Sequence, residues 1–143
     1  MTGFFFSCAI LSLASANAVA CKCPESQYSL SEQFANASMV FVGTTTADPS
    51  VPGNAGATIT FQVSRPLKGV PAGTTTIAVD PKFETDCTAP YIAKAKLLVF
   101  AYAQPSGVPA TGACSVRAAE PVSIGGHEQQ PSPEVVKLLQ SGT

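Results

Sequence analysis

The chain has 143 residues, 45% of them hydrophobic, with 8 Lys and Arg against 9 Asp and Glu for a formal net charge of −1. That length has room for one domain, and scattered cations in near balance with anions leave neither a basic patch for nucleic acid nor a polybasic anchor for a membrane.

The first twenty residues read as a signal peptide. An apolar run from Phe4 to Leu13 is followed by small residues ending in Ala18-Val19-Ala20, the A-x-A pattern of a cleavage site. The run is too short to cross a bilayer, and no other segment is long enough, so no membrane span is expected. A mature domain of residues 21–143 then begins with Cys21, and Cys8 leaves with the leader. The rival reading, a lipoprotein acylated on Cys21, fits poorly: "AVAC" lacks the larger aliphatic residue of a lipobox, and acylation leaves an odd number of thiols.

Cys21, Cys23, Cys87 and Cys114 remain, an even set that in an exported domain implies two disulfides. Four cysteines allow three pairings. Cys21 to Cys23 is disfavoured, because relaxed disulfides hold Cα atoms about 4.4–6.8 Å apart and a ring around one residue strains this. Each N-terminal cysteine is therefore expected to reach a distant one.

Downstream of Pro24, Ser29 or Ser31 serves as N-cap for a short helix carrying Leu30, Phe34 and Ala37 on its apolar face. "MVFVGTTT" reads as a strand and "ADPSVPGNAGA" as a loop. In "TITFQVSRPLKGV", Ile59, Phe61 and Val63 alternate with Thr58, Thr60 and Gln62, as in a half-buried antiparallel strand. "PAGTTTIAVD" places Thr75, Ile77 and Val79 on one face. "AKLLVFAYA" suits a central strand, and "GACSVRAAEPV" a shorter one carrying Cys114. Finally "PSPEVVKLLQSG" has Ser132 as N-cap, Pro133 at the first helical position and Gly142 beyond the end, with Val135, Val136, Leu138 and Leu139 expected to cover the core. The sum is a mainly-β domain: a five-stranded OB-fold-like Greek-key barrel, of the oligonucleotide/oligosaccharide-binding type, with flanking short helices and disulfide links. An immunoglobulin-like sandwich usually needs about seven strands and a core Trp, and this chain has no Trp.

The C-x-C of Cys21 and Cys23, the block Phe34-x-Asn36-Ala37-x-x-Val40-Phe41-Val42-Gly43, Cys87 ahead of "KLLVFAY", and "GACS" with Cys114 together resemble the netrin-like family. Within it they resemble the inhibitory N-terminal domain of tissue inhibitors of metalloproteinases. The resemblance implies the pairs Cys21–Cys87 and Cys23–Cys114; bridges closing such long loops stabilise by about 4 kcal/mol each in the chain-entropy picture. It also implies an inhibitory wedge of Cys21, Lys22, Cys23 and Pro24. A metalloprotease's catalytic zinc keeps one coordination position open for water. The α-amine and carbonyl of Cys21 fill that position as a chelate and displace the attacking water. A free α-amine titrates at about 7.7–8.0, so giving up its proton to zinc near neutral pH is inexpensive. The implied protein is a secreted monomer, or periplasmic in a bacterium, that binds a zinc metalloprotease in trans and has no cofactor or metal of its own.

Two departures bear on the target. Lys22 stands where the animal inhibitors carry a small hydroxyl residue, and an ammonium in an apolar specificity pocket is costly, which points away from matrix metalloproteinases. Ala35 replaces a further family cysteine. The alternative is a non-inhibitory netrin-like extracellular module that binds protein or glycan.

An enzyme is not expected. His127 is the only histidine and lies in "IGGHEQQP", which reads as a loop; no HExxH, metal-spaced Cys/His set or nucleophile elbow accompanies it. Glu84 and Asp86 beside Cys87 read as a polar loop. Asn36-Ala37-Ser38 matches the N-glycosylation pattern.

Overall fold

The computed structural model describes residues 29–46, 58–82, 94–124 and 127–141. Helix α1, Leu30–Asn36, leads into β1, Met39–Thr45; β2, Ile59–Lys68, and β3, Thr76–Lys82, follow. Next come β4, Lys96–Ala101, the short β5, Ala110–Gly112, a 3-10 turn, Ala113–Ser115, and β6, Val116–Ala118. A hairpin of β7, Val122–Ile124, and β8, His127–Gln129, precedes α2, Pro133–Gln140.

Six strands form one sheet in the order β5-β3-β2-β1-β4-β6, all neighbours antiparallel except β3 with β5. The three-residue turn joins the two edge strands, so the edges lie side by side and the sheet curls into a nearly closed barrel. Tyr102, just past β4, exchanges both backbone hydrogen bonds with Ala110 of β5 at 2.8 Å. Thr111 Oγ1 adds a buried donor to the Phe100 carbonyl, also at 2.8 Å.

Two apolar clusters explain the strand sequences. Inside the barrel, Phe41, Phe61, Ile77, Val79, Leu97 and Val99 pack together, with the Phe41 and Phe61 rings edge to face at 5.7 Å. Outside it, Val40, Val42, Leu98 and Phe100 are buried under α1 and α2 with Ala37 and Val135. Both faces of β1 and β4 are therefore dry, which is why "MVFV" and "LLVFA" are apolar runs rather than alternations. β2 shows the opposite: Phe61 points inward while Gln62, Ser64 and Pro66 are exposed. β2 is longer than β1 because its register slips twice, leaving Ser64 and Leu67 as extra residues. The second slip turns Leu67 onto the outer cluster and accommodates Pro66, which cannot donate to a ladder.

The expected five-stranded barrel is thus corrected in its strand count. Six strands form it, because "GACSVRAAEPV" is not one strand: it splits into β5, which pairs with β3, and β6, which pairs with β4, with Cys114 in the turn between. Cys114 is the one cysteine among the described residues, and the closure seen among them consists of hydrogen bonds and packing. The residues read as the loop around His127 instead form the β7–β8 hairpin, with His127 opening β8. α2 begins where expected, with Ser132 Oγ accepting from the Val135 amide. Val136, however, is 37% exposed. It sits at the rim of the face that Val135, Leu138 and Leu139 turn to the barrel, about 100° around the helix from Val135.

Candidate functional site: the Cys114 turn beneath helix α1

Of the residues singled out for function, Cys21, Lys22, Cys23, Pro24 and Cys87 lie outside the described residues, as do Glu84 and Asp86. Cys114 is described. It is half-buried in the 3-10 turn and disulfide-bonded. Its surroundings are accordingly where the sequence's chemistry and the fold meet.

Three elements converge there. The Cys114 carbonyl accepts a hydrogen bond from Gln33 Nε2 at 2.8 Å and another from Arg117 Nη1 at 2.5 Å. A carbonyl has two lone pairs, so the two donors account for its accepting capacity and fix the peptide plane. Gln33 projects from the middle of α1, one turn from Leu30 and next to Phe34, and is only 3% exposed. Ser29 Oγ caps this helix at the Glu32 amide, 3.3 Å away. Gln33 Oε1 is buried and makes no hydrogen bond. A bond such as that to Cys114 contributes about 0.5–1.5 kcal/mol net, while a buried unsatisfied group costs about 1–3 kcal/mol, so Gln33 is no better for stability than an apolar residue of its size. Its value lies in what it holds.

Arg117 approaches the same carbonyl from β6. Burial lowers its pKa from the ordinary arginine value, and Tyr102 and then Glu134 oppose that shift. Glu134 belongs to the first turn of α2, so the cation under the turn is electrostatically linked to both the barrel seam and the C-terminal helix.

Beside this junction, α1 and α2 flank a groove of about 490 Å³ lined by Leu30, Phe34, Leu138, Glu134 and Lys137. Its apolar lining continues the outer cluster. Ser29, the first described residue, lies on its rim. Asn36 is exposed at the last position of α1. Among the described residues no group of three or more His, Cys, Asp or Glu could hold a metal ion, and no helix is long and apolar enough to cross a membrane.

Sequence reasoning missed Gln33 and Arg117. Helix α1 is legible in the sequence through its apolar positions, and a polar residue on the buried face carries no periodic signal. In the sequence Arg117 is one of several scattered cations. The available cue was Gln33 itself, a polar side chain on the face defined by Leu30, Phe34 and Ala37.

No family model, no curated protein and no solved structure matches the chain. These comparisons neither support nor refute the resemblance to the netrin-like family; what the structure itself carries is a mainly-β, nearly closed six-stranded barrel with two flanking helices.

Proposed function

We propose that this chain is a secreted, non-catalytic inhibitor of a zinc metalloprotease, in which the amine and carbonyl of a mature N-terminal Cys21 chelate the target's zinc. The observation that carries the reading is the position of Cys114: a disulfide-bonded cysteine held directly against α1 by Gln33. Only residues 24–28 separate Cys23 in sequence from the Ser29 cap of that helix, and the reading joins Cys23 to Cys114. A Cys23–Cys114 bridge, with Cys21 joined to Cys87, holds the terminal residues in one conformation and lowers the entropy lost on binding. Lys22 then faces the enzyme's specificity pocket and selects a target with an acidic or open pocket.

The test is the terminus itself. N-terminal sequencing and intact mass establish whether the exported chain starts at a free Cys21, and titration against a panel of zinc metalloproteases measures inhibition. Adding one Ala before Cys21 moves the chelating amine and is expected to abolish inhibition. Full inhibition by a folded, Ala-extended protein sinks the proposal.

A second reading rests on the outer face of β2 and β3, where Gln62, Thr76 and Ala78 are exposed among the described residues. A face carrying Gln62 and Thr76, with Asp80 two residues beyond Ala78 on the same side of β3, suits an extracellular module that binds protein or glycan through hydrogen bonds. It predicts indifference to the Ala extension and loss of binding on placing a Lys at Gln62 or Thr76.

A further inference from the structure

We propose that Gln33 is a positioning residue: its amide holds the carbonyl of Cys114, and through that peptide the direction of the half-cystine, at no gain in barrel stability. The inhibition readout rests on the function proposed above; the other two readouts do not.

Gln33 is on the buried face of α1, where Leu30, Phe34 and Ala37 meet the outer cluster. A Leu or Met there extends an apolar face that is already formed. The amide instead brings one bond, to a carbonyl far along the chain, and one buried oxygen that bonds to nothing. A buried orphan of this kind calls for an explanation other than packing. The bond's other end supplies one: Cys114, in a three-residue turn whose short length offers few internal bonds of its own.

Holding the Cys114 carbonyl with two donors, Gln33 from α1 and Arg117 from β6, restrains rotation about the adjoining Cα–C bond, and with it the direction of Cβ and the approach to sulfur. Attack by a thiolate on a disulfide depends on access to the sulfur. Loosening one side of the clamp therefore exposes the bridge to exchange without removing any core side chain. Fold and anchor are separable at this residue, and that separation is what a purely structural role lacks.

The experiment uses the full mature chain, oxidised, in three forms: parent, Gln33→Leu and Gln33→Met. Three quantities are read: the thermal midpoint, the rate at which dithiothreitol reduces the Cys114 bridge (followed by alkylation and mass), and inhibition of the metalloprotease panel. Both variants should melt at or above the parent midpoint, lose the bridge about tenfold faster and inhibit about tenfold more weakly. Reduction rates within about twofold of the parent overturn the proposal. So does a fall in midpoint, or failure to fold, in both variants, because either makes Gln33 a structural residue. If the parent inhibits nothing, the proposed function falls while the midpoint and reduction rate still decide the role of Gln33.

Discussion

Lys68 Nζ, at the end of β2, donates to the carbonyls of Phe34 at 2.6 Å and Ala35 at 2.9 Å while standing 5.6 Å from the centroid of the Phe34 ring. α1 has no basic residue in its own last turn, so the cation that its C-terminal carbonyls favour comes from the sheet. A seven-residue helix is not stable alone, and this clamp with the burial of Ala37 keeps it on the barrel. Lys68→Met keeps the stem and removes the charge; it should cost about 1–2 kcal/mol, with α1 amides losing exchange protection before those of β1 and β4. Unchanged α1 exchange in that variant contradicts the clamp.

The residue after Lys68 makes a sharper demand. Gly69 has φ +66°, and a Cβ built on it meets the Ser38 carbonyl oxygen at 2.0 Å, at the junction between α1 and β1. Gly73 has φ +81° in open space. Gly73→Ala therefore carries only the left-handed backbone penalty, about 1 kcal/mol, whereas Gly69→Ala adds a backbone collision and should reach about 3 kcal/mol or more. Chemical denaturation of the two variants side by side separates the terms, and equal losses refute the contact with Ser38.

α2 is held at both ends by different groups. Ser132 Oγ accepts the Val135 amide at 3.3 Å, and Arg65 Nη1 of β2 donates to the Leu139 carbonyl at 2.5 Å. Ser132→Ala should cost about 1 kcal/mol and Arg65→Met about 1–2 kcal/mol, adding in the double variant because the two sites share no partner. By contrast the exposed Lys96–Glu120 pair, 3.4 Å apart, should contribute under about 1 kcal/mol and vanish at high salt.

Elements with their own local signals were readable in the sequence. Ser132-Pro133 marked the start of α2, Ser29 was one of two caps offered for α1, and the alternation of Ile59, Phe61 and Val63 matched a strand with one wet face. Elements defined by their partners were not. Nothing in Gly112-Ala113-Cys114-Ser115 says that the residues before it pair with β3 and those after it with β4, because edge-to-edge closure is a property of the whole sheet. The run from Val122 to Gln129 did carry a turn signal in Gly125-Gly126, but its flanking strands are too short for alternation to register. For the candidate site, the cysteine was visible and its support was not: Gln33 acts across most of the chain, and long-range hydrogen bonds leave no mark on local pattern.

Closure of the barrel makes the last prediction. Thr111 is 1% exposed on the three-residue β5, and its hydroxyl donates to the Phe100 carbonyl across the seam that Tyr102 and Ala110 also bridge. Thr111→Val preserves shape but removes the donor, and should cost about 1–2 kcal/mol. Thr111→Ser keeps the donor and loses a methyl group, at about 1 kcal/mol. The two losses are close in size, so stability alone cannot tell them apart; location can. The Val variant weakens the seam, and the amides of Tyr102 and Ala110 should exchange about tenfold faster relative to those of β1 and β2. The Ser variant should slacken the packing without opening the seam, leaving that ratio as in the parent. If both variants change exchange uniformly over all strands, the seam is not a separate unit, and the barrel opens as a whole.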